Sequence, residues 1–288
     1  MREPILLVLT LAAAVSSCGG PPRDASASDG GRYEDRLAAE HAGDAPDASP
    51  AARAEPRRPV TGAAVTYGEV GGKALTGYLA TPDGAPDSIP GLVVIHEWWG
   101  LNDNIRSMAR QLAGEGYAAL AVDLYGGQVA ETPDRAGQLA RSVDEDRARA
   151  NLRAAYRFLE GRGAARIGSI GWCFGGGWSL QTALLFPDSL DAAVLYYGHL
   201  VTDPDSLAGL EVPIQGHFGA EDASIPLDQV RHFGEVLDSL GVDEHMYVYR
   251  GAGHAFANPS GTRYVEAAAD TAWGRTLAFL SRHLEPAR

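Results

Sequence analysis

The chain has 288 residues, a formal net charge of −13, 45% hydrophobic residues and 2 cysteines. The acidic balance argues against a nucleic-acid partner, because phosphate binding needs clustered basic side chains, and the densest group of arginines is the short "RAEPRR" near the N-terminus. Lys73, the only lysine, follows no glycine-rich loop, so the later "FGGGWS" is not a Walker-type phosphate cradle.

The opening "MREPILLVLTLAAAVSSCGG" has one arginine, then an apolar run from Pro4 to Val15 that is too short and wrongly flanked to span a bilayer, then small residues. This pattern predicts an export signal over residues 1–17. Val15-Ser16-Ser17-Cys18 resembles the lipobox of bacterial lipoproteins. The resemblance implies cleavage before Cys18, lipidation of its thiol, and a membrane-anchored protein at the bacterial cell envelope, on a periplasmic or outer face. A plain signal peptide with a chance cysteine is the alternative. With Cys18 acylated no intrachain disulfide can form, and Cys173 is the one free thiol.

Residues 18–60 are rich in Ala, Asp, Gly, Pro and Arg and carry few large apolar side chains. Such a stretch cannot bury enough surface to offset its chain entropy and predicts a flexible tether. A short helix over "YEDRLAAEH" is the alternative, with little to pack against. Residues 61–288 have the size of one α/β domain, expected to be a monomer.

Within that domain "AAVTYGEV" and "KALTGYLA" alternate and meet at Gly71-Gly72, which predicts a hairpin. The pattern then changes to short apolar runs separated by helical stretches. The runs are "GLVVIHE", "AALAVDLY", "RIGSIGW", "DAAVLYYG", "VPIQGHFG" and "EHMYVYR". Helices are predicted over "NDNIRSMARQLAGEGY", from about Asp144 to Gly161, over "GGWSLQTALLF" and "LDQVRHFGEVLDSL", and from about Tyr264 to His283. Buried strands alternating with amphipathic helices predict an α/β fold, a doubly wound, mainly parallel sheet with helices on both faces and an antiparallel hairpin at its start. Ligands of such sheets bind beyond the C-terminal strand ends, so the residues just after each run bear on function.

After "RIGSI" stands Gly171-Trp172-Cys173-Phe174-Gly175, which fits Gly-x-nucleophile-x-Gly at a strand-to-helix turn, with Cys where Ser is usual. Glycines suit a turn in which strand and helix approach too closely for a Cβ. The helix starting under the thiol favours thiolate. A buried structural cysteine is the competing account. Two later strand ends add Asp222 in "GHFGAEDASIP" and His254 in "YRGAGHAFANP". Nucleophile, acid, histidine is the chain order of the α/β-hydrolase triad. His254 would accept the thiol proton and Asp222 would fix the imidazole tautomer.

These motifs, together with "IHEWWGLN", "GYAALAVDLYGG", "VLYYG", "HFGAED" and the closing "AWGRTLAFL", closely resemble the dienelactone hydrolase (carboxymethylenebutenolidase) family from about residue 64 to the last helix. The resemblance implies an α/β-hydrolase fold and a triad of Cys173, His254 and Asp222. It also implies an oxyanion hole from the backbone amides of Trp98 and Phe174, and a glutamate, Glu97, that contacts the resting thiol and takes part in its activation. A nearby carboxylate disfavours thiolate, so resting Cys173 is expected to be less reactive than its position suggests.

The family's namesake enzyme binds its substrate's carboxylate with a serine just after the catalytic histidine and an arginine three residues on; here those positions are Ala255 and Asn258. A third, helical arginine aligns with either Arg135 or Arg141. Without the guanidinium clamp a neutral ester or lactone is the expected small-molecule substrate. The expected pocket is formed by Trp98, Tyr125, Tyr197, Ala255 and Asn258, with Trp99 and Tyr196 equally well explained by core packing. His96 and His217 stand singly, without the short-spaced pairing common in zinc sites, and are expected to pack or support. No metal and no other cofactor is expected. The favoured activity is ester or lactone hydrolysis through an acyl-cysteine. Thioesterase or acyltransferase chemistry on the same triad is one rival, and a surface-tethered binding lipoprotein without turnover is the other.

Overall fold

A computed structural model describes residues 33, 35–44, 46, 48, 54–86 and 88–285. Cys18, the expected export signal and much of the expected tether lie outside the described residues. Among the described residues no helix is long and apolar enough to cross a membrane.

Eight strands form one sheet in the order β1-β2-β4-β3-β5-β6-β7-β8. β1 (Val60–Val70) and β2 (Lys73–Pro82) make the expected hairpin. Its two-residue turn uses Gly71 at φ 59° and Gly72 at φ 73°, the left-handed pair that lets a tight turn follow the strands' twist. β2 joins the rest antiparallel to β4 (Ala118–Val122). From there every pairing is parallel, through β3 (Gly91–Ile95), β5 (Ile167–Trp172), β6 (Ala192–Tyr196), β7 (Ile214–Gly219) and β8 (Glu244–Tyr249). β3 to β7 are buried along their whole length, which is why they read as continuous apolar runs and not as alternating ones.

The N-terminal stretch includes a helical segment, α1 (residues 35–40), considered below. Helices α2 (Asp103–Glu115), α3 (Pro133–Arg141), α4 (Glu145–Gly161), α5 (Phe174–Leu185), α6 (Pro204–Leu207), α7 (Leu227–Ser239) and α8 (Glu266–Leu284) fill the crossovers and close the chain. Side-chain caps start several of them, with Asn102, Thr132 and Asp144 each accepting from the backbone N–H three residues on. α3 and the single-turn α6 are not evident from apolar periodicity. Each begins with proline after a capping residue, Thr132 and Asp203.

Candidate active site

The strand ends of β3, β5, β7 and β8 converge on Cys173. The thiol follows β5 directly and caps α5, at φ 54° and ψ −119°, a left-handed backbone that a non-glycine residue rarely adopts. Its neighbours leave no choice about glycine. A Cβ on Gly171 would lie 2.0 Å from the Gly175 carbonyl oxygen, and one on Gly175 would lie 2.3 Å from the oxygen of Ile95. The turn is held by Cys173 N–H donating to Tyr196 O and by Gly176 N–H donating to Cys173 O, both at 2.9 Å. Tyr197 (φ 38°) and Ala255 (φ 58°) are the other non-glycine residues with positive φ among the described residues, and both adjoin this site. Backbone strain is thus concentrated around one thiol.

Asp222, in the loop after β7, uses Oδ1 to accept from the N–H groups of Ser224 and Ile225 at 2.8 and 2.9 Å. Its other oxygen meets His254 Nδ1 at 2.8 Å. The anchored carboxylate fixes the ring so that Nε2 is the nitrogen left for the thiol, and the His254 ring nitrogen and Cys173 Sγ lie within 4.8 Å. Burial alone would lower His254, but the Asp222 charge and then the Cys173 charge outweigh it and hold the imidazole well above its ordinary value. Burial would raise the Cys173 thiol, yet the His254 charge and His41 outweigh that too and bring it down to about 6. Both shifts favour the thiolate–imidazolium form of the pair.

Glu97, just past β3, is buried, and Asn258 Nδ2 donates to its Oε2 at 2.7 Å. Burial first, then the Cys173 charge, pushes its carboxyl up to about 8. Glu97 is thus mostly neutral near pH 7 and exerts little of the opposing field expected of a carboxylate. The expectation of a resting thiol quieted by Glu97 gives way to one of a lowered, physically covered thiol. Asn258, expected in the pocket wall, serves Glu97 instead, and its Oδ1 accepts from Ser260 N–H at 2.9 Å.

Of the two amides expected to form an oxyanion hole, that of Phe174 is the first of α5, where helix geometry supplies no intrahelical acceptor. Trp98 follows Glu97 in the turn closed by Gly100 N–H donating to Glu97 O. Tyr197 packs its ring 5.1 Å from that of His254, and Ala255 is buried beside it. Tyr125 packs on His96 and Phe174, with ring centroids 4.6 and 5.4 Å away. It also faces a cavity of about 400 Å³ lined by Lys73, Leu139 and Arg147, which does not include Cys173. Arg135 spends its guanidinium on Gln128 and Gln138.

His96 and His217 are held by the fold. His96 Nδ1 meets Glu97 O at 2.6 Å, and its Nε2 accepts from Leu124 N–H. His217 contacts Tyr249, Gln215 and Thr276, and burial, then Arg275, lowers it to about 3. Trp99 and Tyr196 are core residues, the latter bonded through its hydroxyl to Thr276.

The residues that sequence reasoning missed come from the stretch expected to be a tether. Part of it packs on the domain. Tyr33, Leu37 and His41 are buried, Glu40 accepts from Ala223 N–H and pairs with Arg263, and Asp44 accepts from the N–H and hydroxyl of Thr262. His41 inserts between the Trp98 ring, 4.6 Å away, and Cys173, whose sulfur lies 3.9 Å from Nε2. Its Nδ1 meets Asp44 Oδ2 at 2.8 Å. Burial would lower His41, but the Asp44 bond and Cys173 raise it, while His41 and Thr262 hold Asp44 down at about 2 against burial. The helical segment α1, within the expected "YEDRLAAEH", thus finds its packing partner in the active-site face. The spacing i, i+4, i+8 of Tyr33, Leu37 and His41 was the available signal.

Comparison with known proteins agrees with this fold. The dienelactone hydrolase family matches residues 75–284. "Protein usf" of Aquifex pyrophilus is 34% identical over 226 residues, covering 75% of this chain and 96% of its own. A "Putative carboxymethylenebutenolidase" of Saccharolobus solfataricus is 30% identical over 250 residues, covering 73% and 95%. Among solved structures, the "Putative Dienelactone Hydrolase from Klebsiella pneumoniae subsp. pneumoniae MGH 78578" superposes with a TM-score of 0.71 at 29% identity, over 78% of this chain and all of that one. The eight-stranded, mostly parallel sheet and these matches together place the chain in the dienelactone hydrolase family, hydrolases of the α/β-hydrolase fold.

Proposed function

We propose that the protein hydrolyses a small neutral ester or lactone by nucleophilic catalysis at Cys173. The observation carrying this reading is the 2.8 Å bond from His254 Nδ1 to the anchored Asp222, which turns the other ring nitrogen toward a thiol on a strained elbow. Cys173 attacks the acyl carbon, and the oxyanion is met by the amides of Phe174 and Trp98. The alcohol leaves with the proton carried by His254, giving a thioester. Water, deprotonated by the same imidazole, then releases the acid and restores the thiol. Asp222 keeps the ring in one tautomer and stabilises its charged form throughout.

A neutral substrate suits the surroundings. Ala255 has no polar side chain to offer, the Asn258 amide is engaged by Glu97, and Arg135 is bonded to two glutamines. The two positions after His254 thus supply no guanidinium, and Arg135, one of the two candidates for the third, is already engaged. Turnover of p-nitrophenyl acetate and simple lactones by wild type and Cys173→Ala tests the reading. Hydrolysis lost in the variant is expected, and equal background rates in both would overturn it.

The lipobox-like Val15-Ser16-Ser17-Cys18 supports a second proposal, that the mature protein begins at a lipidated Cys18. Mass spectrometry of the mature N-terminus should show acylated Cys18, and globomycin should leave the precursor uncut. A mature protein starting elsewhere sinks the idea.

A further inference from the structure

Hydrolysis needs one base beside the thiol, and the structure supplies two histidines. His254 and His41 each bind a carboxylate through Nδ1, Asp222 and Asp44 respectively, both at 2.8 Å. In each ring that contact leaves Nε2 as the nitrogen facing the thiol. The ligand atoms of His41, Cys173 and His254 lie within 4.8 Å of one another, and all three side chains are fully buried. His254 Nε2 is buried and, among the described residues, meets no partner in hydrogen-bond geometry.

We propose that His41, Cys173 and His254 form a binding site for a borderline-soft divalent ion such as Zn2+, and that the bound ion clamps the N-terminal segment over the nucleophile. One sulfur and two imidazole nitrogens are donors that zinc favours. Tetrahedral zinc, with Zn–S near 2.3 Å and Zn–N near 2.0 Å, sets sulfur and nitrogen about 3.5 Å apart. The observed 3.9 Å from His41 Nε2 to Cys173 Sγ is within a few tenths of that. Ligating histidines characteristically give their other ring nitrogen to a carboxylate, which orients the ring and raises its basicity. Both rings already have that partner. Three protein donors leave the fourth position of a tetrahedral ion unfilled by this cluster.

Binding forms one Zn–S and two Zn–N bonds, displaces water from the aquated ion and releases to solvent the proton that the thiol has passed to His254 and any proton held on His41 Nε2, with no change of oxidation state. The consequence is regulatory. The ion consumes the sulfur lone pair needed for attack and ties the N-terminal segment to the elbow, so hydrolysis stops until the ion is withdrawn.

The test uses the full chain stripped of metal by chelation, with Zn2+ titrated against a chromophoric chelator, and Co2+ substituted to read thiolate ligation by its charge-transfer absorption. The expected result is a single ion per chain and a charge-transfer band that vanishes in Cys173→Ser. Affinity should fall at least tenfold in His41→Ala and about tenfold or more in Asp44→Asn, which retains His41. Thermal unfolding of each metal-free variant identifies any loss due to misfolding, and the Asp44 variant carries the test if His41→Ala fails to fold. Substoichiometric binding, absence of the band in wild type, or affinity indifferent to folded His41→Ala and Asp44→Asn would overturn the site. No substrate is involved, so its failure leaves the hydrolytic reading standing.

Discussion

Two histidine–aspartate pairs approach the same sulfur, and they differ in what holds them. His254 and Asp222 stand on loops after β8 and β7, and Asp222 is tied to two backbone N–H groups. His41 and Asp44 sit three residues apart on a segment outside the sheet, held by side-chain contacts to Ala223, Arg263 and Thr262. Equal bond lengths therefore do not mean equal roles. A base must keep its place through every turnover, and the sheet gives His254 that permanence. A side chain on a short docked segment stays only as long as the segment does.

The strongest way to break this comparison is to delete each base in turn. His254→Ala should lower kcat/KM for an ester by about 10²–10⁴, whereas His41→Ala should cost far less. Equal losses would erase the distinction between the pairs. The elbow comes next. Gly175→Ala drives a Cβ toward the oxygens of Ile95 and His96, at 2.3 and 2.5 Å. It should cost about 3 kcal/mol or more in chemical denaturation, since backbone atoms cannot step aside as a flexible side chain could.

Glu97 tests the electrostatics between the pairs. Its native pKa of about 8 lies above the ordinary 4.5, so the native state binds its proton more tightly than the unfolded chain does. The stability this gives is whole below pH 4.5 and is lost as pH rises through 8. Glu97→Gln should therefore be more stable than wild type at pH 8, by up to about 4 kcal/mol, and nearly equal to it at pH 4. Urea melts at the two pH values check this, and a difference that does not grow with pH would count against a buried neutral acid. The smallest effect concerns access. Iodoacetamide labelling of Cys173 in the metal-free wild type should rise with pH through about 6, because the thiolate is the reactive form. His41→Ala uncovers the sulfur but also removes a group that lowers the thiol, so the several-fold gain in labelling is expected at pH 9, where thiolate forms in either protein.

Much of this was legible in the sequence because the fold writes itself in simple patterns. Strands buried on both sides appear as "LVVI" or "AAVLY", and a sharp strand-to-helix turn requires glycines at 171 and 175. Asp222 and His254 are marked by their places at successive strand ends. What escaped depended on contacts distant in sequence. Asn258 reads as a pocket residue until Glu97, 161 positions away, is seen to hold its amide. The protonation of Glu97 follows from burial, which no local motif encodes. His41 was hidden by composition. The surrounding Ala, Asp, Gly and Pro describe a linker on average, while three side chains at helical spacing decide that part of it docks.

The lowered thiol has a consequence for the life of the chain before it folds. Cys173 owes its low pKa to His254, which is synthesised after it, and to His41, which lies 132 residues before it. A nascent or unfolded chain brings neither to the sulfur, and its cysteine is an ordinary one, mostly protonated at neutral pH. Reactivity is acquired only when both flanks of the sequence have come home to the elbow, so completion of the fold is itself the step that arms the thiol.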